Sequence, residues 1–183
     1  MTIDQSQPEP FLFPTDPWLK PSHRTWPEQA MGLALFLGAG FGIQSLSFWI
    51  ASLAHSDEWF HHLYQAQWAI SNWPYSPLWI VNAFCLAFPL WLIWRRTTFW
   101  SMILEVSVWS VQCLLQIGWY LCFFVFQETL VALFGLLLYW CSVLVAPFLY
   151  GRTQRHAKWW IAFPCLWVFY ILALNMVICS NNP

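Results

Sequence analysis

The sequence predicts an all-α integral membrane protein, a bundle of five transmembrane helices, and three observations carry that prediction. Of 183 residues, 60% are hydrophobic and only 8% are charged, where an ordinary soluble domain carries about 25% charged residues. Five apolar runs, at residues 31–54, 78–94, 99–126, 129–150 and 159–179, each approach the ~20 residues a helix needs to cross the hydrocarbon core. With five spans, all seven cationic residues fall on one side: Lys20 and Arg24, Arg95 and Arg96, then Arg152, Arg155 and Lys158. Asp57, Glu58 and Glu128 fall on the other. The positive-inside rule then places the N-terminus and the basic loops on the cytoplasmic or stromal side of an inner, thylakoid or organellar membrane, with the C-terminus opposite.

Composition also excludes partners. A formal charge of −1 leaves no basic stripe to neutralise phosphates, so no nucleic acid is expected. Cys85, Cys113, Cys122, Cys141, Cys165 and Cys179 all lie in or beside apolar runs without CxxC spacing, and read as buried structural thiols rather than disulfides or metal ligands. The first apolar run starts near Met31, so no cleavable signal peptide is expected.

Residues 1–27 contain Pro8, Pro10, Pro14, Pro17, Pro21 and Pro27, a density that no helix interior tolerates. They are expected to form an extended segment outside the bilayer, ahead of a transmembrane domain at 28–183, with Phe11, Phe13 and Trp18 available for docking. In the first span Gly38 and Gly42 are one turn apart, the spacing that lets helices approach closely, and are expected to pack inside the chain. Between spans one and two, residues 59–79 carry Trp59, Trp68, Trp73 and Trp79 among His, Gln, Ser, Asn and Pro. Indole combines a broad apolar face with one N–H donor. This loop reads as an interfacial aromatic belt, as ordinary loop packing, or as the lid of a ligand site. His61 and His62 within it read as solvated residues rather than as ligands to a pigment metal. The second span ends at Arg95 and Arg96. Early in the third, Glu105 is expected to reach Arg96 or the interface rather than to relay protons. In the fifth, Pro164 is expected to loosen the helix one turn before Trp167.

Three intramembrane amides then need partners: Gln112, Gln116 and Asn175. Each should face another helix or an enclosed cavity. Gln112, Gln116 and Trp119 recur at spacings of four and three and share a helical face, as do Trp160, Trp167 and Asn175. Interhelical hydrogen bonding accounts for each alone. Together with the tryptophan-rich loop they describe an aromatic-lined cavity under a lid, a site for a flat, hydrophobic, aromatic ligand. No nucleophile–base pair, metal cluster or phosphate loop is visible, so no catalytic or metal residue is assigned.

At this point the chain resembles the TspO/translocator proteins, also called tryptophan-rich sensory proteins. Trp59-Phe60, Leu63, Trp68, Trp73 and Trp79 match the tryptophan pattern that follows the family's first span. Gln112, Cys113, Gln116, Trp119, Phe123 and Phe124 look like its third-span pattern, and Pro164, Cys165, Trp167 and Asn175 like its fifth. The loop's usual Lys-Pro is Gln65-Ala66 here, and its paired prolines are Ile70-Ser71. The third-span Asn is Gln116. The Tyr and Arg that follow the fifth-span Asn in sterol-binding members are absent after Asn175. The resemblance implies a five-helix bundle, often a homodimer, that binds protoporphyrin IX, haem or a related tetrapyrrole; some bacterial members degrade protoporphyrin in light. Carried over, the pocket falls on Trp79 and Trp167, with Trp59, Trp68, Trp160, Gln116 and Trp119 around it. The proline-rich N-terminal segment lies outside the family outline and suggests the other expectation, a structural or assembly subunit of a larger membrane pigment–protein complex.

Overall fold

The computed structural model describes residues 24–53, 59–60 and 62–182, and those residues form helices without strands. Five helices are long and apolar enough to cross a membrane: α1 (Trp26–Leu53), α2 (Leu78–Trp94), α3 (Ile103–Tyr120), α4 (Thr129–Thr153) and α5 (Ala162–Asn181). They close a ring in which α1 packs on α2, α2 on α5, α5 on α4, α4 on α3 and α3 back on α1. Short 3-10 turns precede α2 (Trp73–Tyr75), α3 (Trp100–Met102) and α5 (Ala157–Ile161). The chain is thus an integral membrane bundle, lipid-facing on its outside. The proline-rich residues 1–23, with Phe11, Phe13 and Trp18, lie outside the described residues, as do Asp57, Glu58 and His61.

α1 starts five residues before the apolar run does. The Thr25 backbone N–H donates to Glu28 Oε2 (2.8 Å), a capping box in which Thr25 and Glu28 bracket the first turn. Pro27 is harmless there, because first-turn N–H groups have no helical partner to lose. Pro164 also lies in the first turn of an α-helix, since α5 begins at Ala162 directly after the 3-10 segment Ala157–Ile161, so it removes no hydrogen bond from the helix interior. Pro89 and Pro147 do lie inside α2 and α4.

Close helix approach falls on different glycines from those expected. Gly38 and Gly42 are exposed, with nothing within 4 Å of a Cβ built on either. Instead a Cβ on Gly32 would stand 2.3 Å from Trp94 Nε1, and one on Gly40 would stand 3.2 Å from Ala87 Cβ. One exposed turn of α1 therefore carries the recognisable spacing, while its packed face relies on glycines eight residues apart.

The far end of α3 widens into a π turn, Leu121–Val125, closed by Phe126 N–H donating to Leu121 O (3.0 Å) and Glu128 N–H donating to Cys122 O (2.9 Å). An extra residue per turn lets neighbours in sequence share a face. Trp119, Tyr120, Phe123 and Phe124 are accordingly all buried. Gln127 then takes a left-handed φ of 57° to turn the chain into α4.

Two groups of polar contacts join the helices. Gln116 Nε2 donates to Gln44 Oε1 (2.9 Å), Tyr139 OH donates to Gln116 Oε1 (3.4 Å) and Asn82 Nδ2 donates to Tyr139 OH (3.2 Å), so α1, α2, α3 and α4 meet in one belt. Near the basic end, Glu105 is buried and accepts from the Thr153 hydroxyl of α4, not from Arg96. The thiols are all free. Only Cys85 is buried, and Cys141 is exposed on the outer face of α4, so burial is not general among them.

Candidate functional site

The site is built from the loop downward. Asn72 adopts φ 58° and ψ 33°, a left-handed conformation that Asn tolerates better than most residues. That turn drives Trp73 of the following 3-10 segment straight into the bundle. There it meets Trp119 of α3 (centroids 6.1 Å apart), which stacks on Trp79 of α2 (5.4 Å, 26°), which meets Trp167 of α5 edge-on (5.6 Å, 84°). Four indoles from the loop and three helices thus form one continuous run of rings. Trp73, Trp79 and Trp119 are 0–1% exposed and Trp167 is 5% exposed. With so little surface open to water, the rings themselves fill the space between the helices.

The four indole N–H groups are treated unequally. Trp79 Nε1 donates to Trp73 O (3.2 Å) and Trp119 Nε1 to Asn175 Oδ1 (3.2 Å). Asn175 in turn donates to Ile171 O (3.0 Å), a bond within its own helix that fixes which way the amide points. Trp73 Nε1 and Trp167 Nε1 are buried with no acceptor. An unsatisfied buried donor costs about 1–3 kcal/mol. The two costly donors stand at the two ends of the run of rings.

The remaining expected residues separate by depth. Gln116 belongs to the polar belt, bonded to Gln44 and Ser47, one turn of α3 below Trp119. Gln112 donates to Ser142 O of α4 (3.1 Å), a further turn away. Trp59 packs edge-on against Phe123 (5.4 Å) and lines a rim pocket of about 490 Å³ with Leu63, Gln127, Glu128, Cys179 and Asn182. Trp68 is 52% exposed and rests on Tyr170 (5.6 Å). Trp160 is 37% exposed and packs on Phe84 and Phe88 of α2 (5.7 and 4.6 Å). Sharing a face with Trp167 does not place it at the same depth, because seven residues advance a helix about 10.5 Å.

Sequence reasoning did not assign Tyr120, whose hydroxyl donates to Pro74 O (2.9 Å) and anchors the loop's 3-10 turn to α3. Nor did it assign Tyr170, whose hydroxyl accepts from Ile70 N–H (2.8 Å) and whose ring stacks on Trp167 (5.5 Å, 22°). The 119–124 run of Trp, Tyr, Phe and Phe was the available signal, since so aromatic a helix end asks for an aromatic partner. Asn182 closes the far side: it accepts from Tyr64 N–H (2.9 Å) and donates to Tyr64 O (3.3 Å). His62 is exposed, and among the described residues no cluster of three His, Cys, Asp or Glu side chains is placed to hold a metal ion.

Comparison with known proteins agrees with this architecture. The model of the TspO/MBR family matches residues 31–180. The chain is similar to the tryptophan-rich protein TspO of Chlorobaculum tepidum, at 25% identity over 125 residues that cover 66% of this chain and 77% of that protein.

Proposed function

The chain belongs to the TspO/MBR family, and on that premise we propose that it binds a tetrapyrrole, of the protoporphyrin IX or haem type, in its aromatic core. The role is sensing, trafficking or disposal of that pigment. The observation that carries this reading is the pair of buried indole donors without acceptor, Trp73 Nε1 and Trp167 Nε1, at the ends of the run of rings. A tetrapyrrole offers a flat face to stack on indole and ring nitrogens and carboxylates to accept the Trp167 N–H, while the unpaired Trp73 N–H favours release of that ring to water. Trp79, Trp119 and Trp167 are fixed on three different helices, whereas Trp73 rides on the loop. The ligand therefore takes the place of Trp73 when the loop lifts, and leaves the other three rings as its walls. The core donors are indoles, the Asn175 amide and the Tyr120 phenol, the last already bonded to Pro74 O. That set fits the organic ring rather than an iron atom, and a bound haem would be held by stacking.

The basic loops and the N-terminus face the cytoplasm or stroma in this reading, and the loop and core open on the opposite side. The deciding experiment is a titration of the detergent-purified protein with protoporphyrin IX, following tryptophan quenching in the dark and product absorbance under light. Saturable quenching that is lost in the Trp79→Phe/Trp167→Phe double variant supports the site, and bleaching under light adds an activity. Binding that is unchanged in the double variant overturns it.

A further inference from the structure

At the basic end of the bundle, away from the aromatic core, a groove of about 360 Å³ lies between α1, the end of α2 and the start of α3. Its walls are Met31, Leu35, Phe36, Trp94, Val106 and Trp109, and its size is within the roughly 300–1,000 Å³ of ligand sites. Met31 and Leu35 are exposed, so the groove opens toward lipid. Phe36 sets Trp94 and Trp109 edge-on at 6.3 and 6.2 Å, which gives it a rigid aromatic floor. Gly32 keeps the Trp94 edge close to α1, since any side chain there would displace the indole.

Arg24 stands at the mouth and is locked in place. Its guanidinium carbon is 3.3 Å from the Trp94 ring centroid, Nε donates to Trp94 O (2.9 Å) and Nη2 donates to Thr97 O (3.1 Å). A guanidinium has five N–H groups, so the other three, including both on Nη1, have no acceptor among the described residues. Among the described residues no carboxylate forms a close ion pair with it; the neighbouring Glu28 caps Thr25 N–H. Burial against the indole lowers the Arg24 pKa from its ordinary value, an effect Glu28 opposes, yet a guanidinium stays charged. Arg95 and Arg96 occupy the same turn as the Thr97 carbonyl and add positive charge beside it.

We infer that this groove is a binding site for an anionic phospholipid, with one acyl chain in the apolar slot and the phosphate on Arg24. A fixed cation at the level of the headgroups, continued by an apolar slot into the hydrocarbon, fits both halves of that molecule and only those halves together. Basic pockets between helices on the positive side of a membrane protein recognise such headgroups. A second copy of this chain fits less well: Glu105 is buried against Thr153, and Glu28 caps Thr25 N–H beside Arg24 of its own groove, so the described acidic groups at this end are engaged within their own chain.

The test is native mass spectrometry of the detergent-purified protein offered equal amounts of phosphatidylglycerol and phosphatidylcholine with the same acyl chains. The wild type retains phosphatidylglycerol by about fivefold, the preference one cation gives near an anionic headgroup. Arg24→Gln abolishes the preference, and Arg155→Gln in the other basic loop leaves it unchanged. Leu35→Trp fills the slot from its lipid-exposed wall and lowers retention of both lipids, which keeps the proposal testable should Arg24→Gln fail to fold. Equal retention of the two lipids by the wild type, a preference that survives Arg24→Gln, or phosphatidylglycerol binding indifferent to Leu35→Trp would each overturn it. So would a lipid-free dimer that dissociates on Arg24→Gln.

Discussion

The loop over the aromatic core is held by two polar latches, and releasing them should speed ligand entry by an amount the structure sets. One latch is Asn182, which exchanges a pair of hydrogen bonds with the Tyr64 backbone at 2.9 and 3.3 Å. The other is the Tyr170 hydroxyl, which accepts from Ile70 N–H at 2.8 Å; its 3.5 Å contact with Trp68 O is too long to add much. Both latches are exposed to solvent, so the net loss on removing either is about 1 kcal/mol, near the middle of the range for intramolecular hydrogen bonds. That shifts the closed-to-open equilibrium about fivefold for one latch, and roughly 25-fold for both because they share no partner. Tyr170→Phe keeps the ring stacked on Trp167 and deletes only the hydroxyl, while Asn182→Ala leaves the core untouched. Stopped-flow quenching by protoporphyrin IX measures the association rate directly. Rates should rise about fivefold in each single variant and roughly 25-fold in the double. Association rates that stay at the wild-type value in the double variant would refute entry beneath the loop and point to a lateral path between helices.

Three further outcomes follow from packing and hydrogen bonding. Replacing Trp167 by Phe removes a buried donor that has no acceptor, relieving about 1–3 kcal/mol against the lost indole volume; its unfolding midpoint in detergent should move little while porphyrin quenching falls. Gly32→Ala brings a methyl to 2.3 Å from Trp94 Nε1 and should destabilise by about 1–3 kcal/mol, whereas Gly38→Ala and Gly42→Ala, with open space around them, should stay within about 0.5 kcal/mol; thermal unfolding separates the two classes. Thr153→Val removes the hydroxyl that donates to the buried Glu105 carboxylate and should cost about 1–3 kcal/mol, while Glu105→Gln in the same assay should be milder because it buries no charge.

The five spans were legible in the sequence because apolar length is a strong signal, and α2 runs from Leu78 to Trp94 as the pattern indicates. The start of α1 was less so. A proline at position 27 suggests a break, and only the Thr25–Glu28 cap shows why the helix begins before it. The membership of the core was legible in part: Trp73, Trp79, Trp119, Trp167 and Asn175 meet, because spacing along a helix reports a face. Depth is not written in that spacing, so Trp160 and Gln112 could be placed on the correct faces yet belong to other levels of the bundle. The π turn after Tyr120 was invisible, since nothing in the composition of 121–125 distinguishes it from regular helix. Gly38 and Gly42 illustrate the converse case. Their spacing is a familiar packing signature, but with lipid as apolar as a neighbouring helix, spacing alone does not say which side of α1 is inside.

The belt that joins Gln44, Gln116, Tyr139 and Asn82 bears on how the protein is made. Spans enter a bilayer in chain order, and the amide of Gln44 arrives with the first while its partner Gln116 arrives with the third. Until then each amide is solvated only by what the translocation machinery or a passing water supplies, an unfavourable state in hydrocarbon. Tyr139 of the fourth span completes the arrangement. The belt is therefore complete only once α4 is in place, and its hydrogen bonds then fix a single register among the first four spans.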